Sequence, residues 1–163
     1  NLGSALRGKG MLDDSINSFK RAIQLKPSYV DAYSNMGEAL QANGRFKEAI
    51  KSCQQAIKID PNFSGAYYNL GNSLVDLGQI KKALDCYNKA IKIKPNYPEA
   101  FLNMGNALRD MGELDSSLKF FKHAIKIKPD YAVAHYNLAL TYKDSGDMKK
   151  ATAQYKTLQD RFD

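Results

Sequence analysis

At 163 residues, with 44% hydrophobic and 25% charged side chains, the chain is apolar enough to build a core and too apolar for a disordered segment. No apolar run reaches the ~18 residues a membrane-spanning helix needs, and the opening "NLGSALRGKG" has neither the charged start nor the apolar middle of a signal peptide. A formal charge of +7 raises an acidic partner, nucleic acid included, as a question that the placement of the lysines must answer.

In chain order, "NLGSALRGKG" reads as the interior of a helix that stops at Gly10, and a second helix follows to Pro27. The same pair of stops then returns at Gly44 and Pro61, Gly78 and Pro95, Gly112 and Pro129, with Gly146 in the last stretch. Each series advances by 34 residues, so the unit is two helices, with glycine in one turn and proline in the other. Glycine enters the left-handed conformation just past a helix end at little steric cost. Proline lacks an N–H and restricts the residue before it, which ends the helix in "IKIKP". Ser28, Asn62, Asn96 and Asp130 follow the prolines, and their side chains are expected to cap the next helix.

Between the stops, apolar residues keep helical steps of three and four, as at Ala66, Tyr67, Leu70, Gly71 and Leu74, then Ile80, Ala83, Leu84, Tyr87, Ala90 and Ile91. Small residues share columns: Gly37, Gly71, Gly105 and Ala139 in first helices, Ala22, Ala56, Ala90 and Ala124 in second helices. Such columns predict antiparallel helix pairs in close approach, flanked by Tyr33, Tyr67 and Phe101.

The series Tyr67, Leu70, Gly71, Leu74, Ala83, Tyr87, Ala90, Pro95 resembles the tetratricopeptide repeat signature, and it recurs in the neighbouring copies. Departures are mild: Cys53 in an aromatic column, Ser15 and Ser117 in an alanine column, His135 for an aromatic, and Leu158 at the end of the last alanine column. The resemblance implies an all-α, right-handed α-solenoid of stacked antiparallel helix pairs, with a concave groove lined by first helices. Five repeats are expected, at 1–29 (incomplete at its start), 30–63, 64–97, 98–131 and 132–163, with no polar capping helix after the last. Apolar surface at both ends, and end-to-end self-association through it, are therefore expected.

On the first helices, the face opposite the packing stripe carries an asparagine column, Asn1, Asn35, Asn69, Asn103 and Asn137. An amide both donates and accepts, so such a row suits the backbone of an extended peptide; it equally suits the fixing of neighbouring helices. The row in "YSNMG", "YYNLG" and "FLNMG" resembles that of the repeat superhelix of protein O-GlcNAc transferases, which implies a mode of binding and no catalysis. Neighbouring columns vary as a specificity surface does: Ser34, Tyr68, Leu102, Tyr136; Glu38, Asn72, Asn106, Leu140; Asp31, Gly65, Glu99, Val133. The candidate groove set is Asn35, Asn69, Asn103, Asn137, Glu38, Tyr68, Asn72, Asn106 and Tyr136, with the two tyrosines as amphipathic anchors. The basic clamp with which some repeats of this kind hold acidic chaperone tails is absent, since none of the first and third of those variable columns is basic.

First-helix stretches hold four basic residues (Arg7, Lys9, Arg109, Lys143) against six acidic ones (Asp31, Glu38, Asp76, Glu99, Asp110, Asp144). The positive field therefore lies on second helices, where Lys47, Lys51, Lys58, Lys81, Lys89, Lys92, Lys119, Lys122 and Lys126 form a solvated outer face. Aromatics for base stacking are scarce there, because Tyr87, Phe121 and Tyr155 belong to the packing stripe, which disfavours nucleic acid as a partner. No catalytic set, metal set or cofactor motif is expected: His123 reads as an outer residue and His135 as a packing residue. Cys53 and Cys86 make no disulfide framework and read as free thiols in a reducing compartment, the cytoplasm. The sequence thus reads as a non-catalytic scaffold for a protein or peptide. Its alternatives are a structural segment of a longer superhelix that positions another domain, such as a glycosyltransferase-like enzyme, and an anion- or RNA-binding module using the basic face.

Overall fold

The structure, a computed structural model, describes residues 11–162. Asn1, Arg7, Lys9 and Gly10, which the sequence assigns to the first partial repeat, lie outside them. The described residues form only helices and turns: α1 (Leu12–Leu25), α2 (Val30–Ala42), α3 (Phe46–Ile59), α4 (Ser64–Asp76), α5 (Ile80–Ile93), α6 (Pro98–Asp110), α7 (Leu114–Ile127), α8 (Ala132–Asp144) and α9 (Met148–Phe162). They belong to two compact units, one ending at Ile93 and the other beginning at Lys94.

In the first unit, α2 pairs with α3 and α4 with α5, while α1 packs on α2, α3 on α4, and α2 on α4. In the second, α6 pairs with α7 and α8 with α9, while α7 packs on α8 and α6 on α8. Each unit is thus built from helix hairpins that share their flanks. The core of the first unit includes Ile16, Phe19, Ala32, Ala39, Leu40 and Ala49, contributed by three successive helices. No single hairpin could enclose such a cluster, which is why the repeats need one another.

The glycine turns follow from backbone arithmetic. Gly78 has φ of 70°, a left-handed value that an L side chain adopts only under strain, and the other described turn glycines match it. That conformation completes a Schellman motif: Gly78 N–H donates to the Val75 carbonyl at 2.8 Å, and Gln79 N–H to the Leu74 carbonyl at 2.8 Å. Orphan carbonyls at the helix end are satisfied without side-chain help.

The proline turns correct one expectation. No side-chain cap forms at α2, α4, α6 or α8, and the residues flanking their first turns are Tyr29, Phe63, Tyr97 and Tyr131. At three of these sites proline occupies the second position of a β-turn, closed by Tyr29 N–H to Lys26 O, Phe63 N–H to Asp60 O and Tyr131 N–H to Lys128 O, at 3.0–3.2 Å. Ser28, Asn62 and Asp130 are therefore the third residues of these turns, one position too early to cap. Asn62 instead donates its own N–H to the Asp60 carboxylate at 2.9 Å.

Within each hairpin the small column is decisive. A Cβ on Gly71 would meet the Tyr87 ring at 2.6 Å, and one on Gly105 would meet the Phe121 ring at 2.6 Å. Gly37 faces Cys53 in the same way. Ser117, in place of an alanine, donates its hydroxyl to the Gly105 carbonyl at 2.8 Å, so its burial leaves no unsatisfied group. Gly71→Ala should lower stability by about 1–3 kcal/mol in a urea titration, through overpacking. The loss should shrink in a Tyr87→Leu background, because ring atoms are what the new methyl meets; a loss that persists there would place its origin elsewhere.

Candidate functional site

The candidate residues stand on first helices in both units. Asn35 and Glu38 on α2 share the first unit with Tyr68, Asn69 and Asn72 on α4. Asn103 and Asn106 on α6 share the second with Tyr136 and Asn137 on α8. Helical spacing puts each set on one face, and the packing of α2 on α4 and of α6 on α8 brings like positions side by side within a unit.

Burial separates these residues into two kinds. Asn69 is only 7% exposed, and its amide nitrogen donates to the Ser34 carbonyl at 3.2 Å and to the Ser34 hydroxyl at 3.1 Å. The amide nitrogen is thus engaged between α2 and α4. Asn72 is half-buried and accepts from the Tyr87 hydroxyl at 2.8 Å, a bond internal to the hairpin. Phe121 stands at the equivalent place of the next repeat and has no hydroxyl to offer Asn106. Asn35, Asn103, Asn106, Asn137 and Glu38 are half-buried, at the depth from which a side chain can still reach a ligand.

The aromatic column divides too. Ser34 is buried under the Asn69 amide, and Leu102 is 7% exposed, so neither presents an open surface. Tyr68 is half-buried with its ring 6.2 Å from that of Tyr87. Tyr136 is 51% exposed, its ring edge-on to Tyr155 at 6.2 Å, and Val133, one turn earlier on α8, is 53% exposed. The α8 face therefore offers the most accessible apolar surface among the candidate positions.

Polar ties between successive first helices, which sequence reasoning missed, border these faces. Gln41 donates to Asp76 at 2.6 Å in the first unit, and Arg109 to Asp144 at 2.8 Å in the second. Both pairs are 35 residues apart, as are Ser34 and Asn69. A one-position offset from the 34-residue repeat is the signal that could have found them, since side chains on neighbouring parallel helices lean toward the N-terminus and meet out of step.

The histidines take defined places. His123 is exposed and stacks on Phe101, with ring centroids 4.3 Å apart and planes 13° from parallel. His135 is buried between the Pro129 carbonyl, 2.9 Å from Nε2, and the Gln154 amide, 2.6 Å from Nδ1. An imidazole protonated on Nε2 donates to the first and accepts from the second. Among the described residues no group of three or more His, Cys, Asp or Glu is arranged to hold a metal. No helix there is long and apolar enough to cross a membrane.

Both thiols are held protonated. Burial pushes Cys53 up to about 12, with Cys86 and Glu38 adding to the effect, and burial next to Asp85 pushes Cys86 up to about 11.

Helix hairpins in sequence, joined by glycine and proline turns and holding their polar ties between like helices, define an all-α helical-repeat solenoid, a scaffold for protein interactions. The chain belongs to the tetratricopeptide repeat family. One family model, described as TPR repeat, matches residues 3–44, 71–108 and 105–146, and others described as tetratricopeptide repeat match 30–63, 52–85 and 132–161. No curated protein matches the chain in sequence. Among solved structures it resembles the crystal structure of MamA at 25% identity and a TM-score of 0.85, covering 99% of this chain and 94% of that one. YrrB, described as a TPR protein with an unusual peptide-binding site, is 27% identical with a TM-score of 0.75, covering 98% and 82%. TTC0263, a thermophilic TPR protein of Thermus thermophilus, shares the fold at 23% identity and a TM-score of 0.84, covering 99% and 88%.

Two outcomes follow from this geometry. Asn69→Ala should cost about 1–3 kcal/mol, read from the urea midpoint, because it removes a buried polar tie from Ser34; an unchanged midpoint would remove the tie between α2 and α4. Iodoacetamide at pH 7 should label Cys53 and Cys86 at least about tenfold more slowly in the folded chain than in urea, since the reactive thiolate is suppressed in the fold. Fast labelling of the native protein would contradict the burial described.

Proposed function

We propose that this chain is a non-catalytic scaffold that takes an extended peptide, or an extended segment of a partner protein, on the faces of its first helices. The observation that carries the proposal is the Asn69 amide donating to the Ser34 main-chain carbonyl. It is an example, inside the molecule, of the bond that the half-buried amides Asn35, Asn103, Asn106 and Asn137 would make with a peptide backbone. Amide-to-backbone recognition reads little sequence, so specificity would come from the positions that differ between repeats, Glu38, Tyr68, Asn72 and Tyr136. Tyr136 with Val133 would supply the apolar anchor in the second unit. The likeness to YrrB, described as having a peptide-binding site, supports this reading.

The same bond also favours a second reading, a structural segment of a longer superhelix, because the Asn69 amide holds α2 to α4. The two readings separate in solution. Peptides selected from a random library against the purified chain, measured by fluorescence anisotropy, should bind at least about tenfold more weakly to Tyr136→Ala or Asn106→Ala, with the melting temperature unchanged. A library that yields no ligand, or ligands indifferent to both substitutions, would leave the structural role in possession.

A further inference from the structure

A second hollow lies away from the first-helix face, within the unit that ends at Ile93. Pro61 and Asn62, in the turn before α4, face Lys89, Lys92 and Ile93 near the end of α5, and with Tyr67 of α4 they enclose a cavity of about 410 Å³. Lys89 and Lys92 are three apart on one helix, so their stems leave the same side. Both are exposed, and among the described residues neither ammonium is in an ion pair. The carboxylate of the turn itself, Asp60, accepts the Asn62 main-chain N–H. The hollow therefore joins two uncompensated cations and two polar groups, the Asn62 amide and the Tyr67 phenol, to an apolar wall of Pro61, Ile93 and the Tyr67 ring.

The equivalent positions are filled differently in the two repeats that follow. At the place of Lys89 stands His123, whose ring covers Phe101, the counterpart of Tyr67. In the last repeat, Arg161 donates to the carbonyl of Pro129, the counterpart of Pro61, and His135, in the place of Tyr67, bonds to the same carbonyl. The lysine pair itself occurs once: its counterparts are Arg21 and Gln24, Gln55 and Lys58, His123 and Lys126, Thr157 and Asp160. A polyanion such as RNA would read the single lysines that recur along the second helices, as at Lys58, Lys92 and Lys126. A single open pocket with one doubled charge suits a local acidic group instead.

We propose that this niche docks a short acidic peptide segment in which a carboxylate side chain lies beside an apolar one. The carboxylate sits between Lys89 and Lys92, and the apolar neighbour lies against Ile93, Pro61 and the ring of Tyr67. The inference does not rest on the first-helix reading, because the two surfaces share no residue.

The test uses the whole chain and a fluorescent hexapeptide alternating glutamate with isoleucine, measured by anisotropy at about 0.15 M ionic strength, where charges on other helices are screened. Joint replacement Lys89→Gln and Lys92→Gln should weaken binding roughly tenfold, the effect of two exposed ion pairs. The glutamine version of the peptide should lose about as much on the native chain. Joint replacement Lys47→Gln and Lys51→Gln removes the same charge from another helix and should change the affinity less than about twofold. These lysines are exposed, so circular dichroism should be unchanged in both variants. Equal losses from the two lysine pairs would mean diffuse attraction and overturn the site. So would absence of peptide binding, and so would an oligouridylate that binds more tightly than the peptide and is released by the Lys89 and Lys92 replacement.

Discussion

Everything in this fold depends on the distance between the two helices of a hairpin, and that distance is set by what a glycine lacks. At Gly71 and Gly105 the opposing aromatic ring occupies the volume a Cβ would need. The ring is thereby buried whole: Tyr87 and Phe121 are at most 1% exposed, and each lies under its own hairpin's first helix. Burying an aromatic side chain of this size contributes on the order of 2–3 kcal/mol. A first helix with a larger residue there would stand off, open a gap beside the ring and forfeit close contacts on both sides. Cys53, a smaller residue at the aromatic position, still fills the space against Gly37, so the approach is kept with less apolar mass.

With that spacing fixed, neighbouring first helices come near enough for short side chains to bridge them. The bridges from Asn69 to Ser34, Gln41 to Asp76 and Arg109 to Asp144 use two amides and one guanidinium to join helices one repeat apart. Their depth differs, and so does their worth. The Asn69 bond is buried, where an unmade partner is costly. The Arg109 and Asp144 pair is 26% and 38% exposed at the side chains, where solvent screens much of the attraction. A first-helix face therefore has stiff positions and compliant ones.

The repeat period, the helix boundaries and the identity of the packing columns were legible in the sequence, because each rests on a residue type with one dominant physical use. Glycine past a helix end and proline after one permit few other readings. The caps were misread for a related reason: a polar residue after proline serves equally as the third residue of a β-turn, and the turn hydrogen bond from Tyr29 or Phe63 decides between them. Asparagine was the least legible residue. Asn69 and Asn72 have the same side chain, yet one ties two repeats while the other accepts from its own hairpin's tyrosine. Only the third dimension assigns those partners. Leu102 and Ser34 were likewise read as part of a variable, ligand-facing column, and burial removes both from the open surface.

Repetition also explains why an exception carries information. Because the helices of successive repeats recur with nearly the same lengths and spacing, a column compares side chains in similar settings. Along the column of Tyr67, Phe101 and His135, the neighbouring outer position holds Lys89, His123 and Thr157 in turn. An imidazole can lie flat on an aromatic ring, as His123 does on Phe101, because both are planar π systems. A lysine has no planar ring to stack in that way, and with Lys89 at this position the Tyr67 ring lines an open hollow. The hollow at Tyr67 thus falls in a repeat where two lysines stand in place of a histidine and one lysine, so one substitution both removes the stacked imidazole and supplies the second charge.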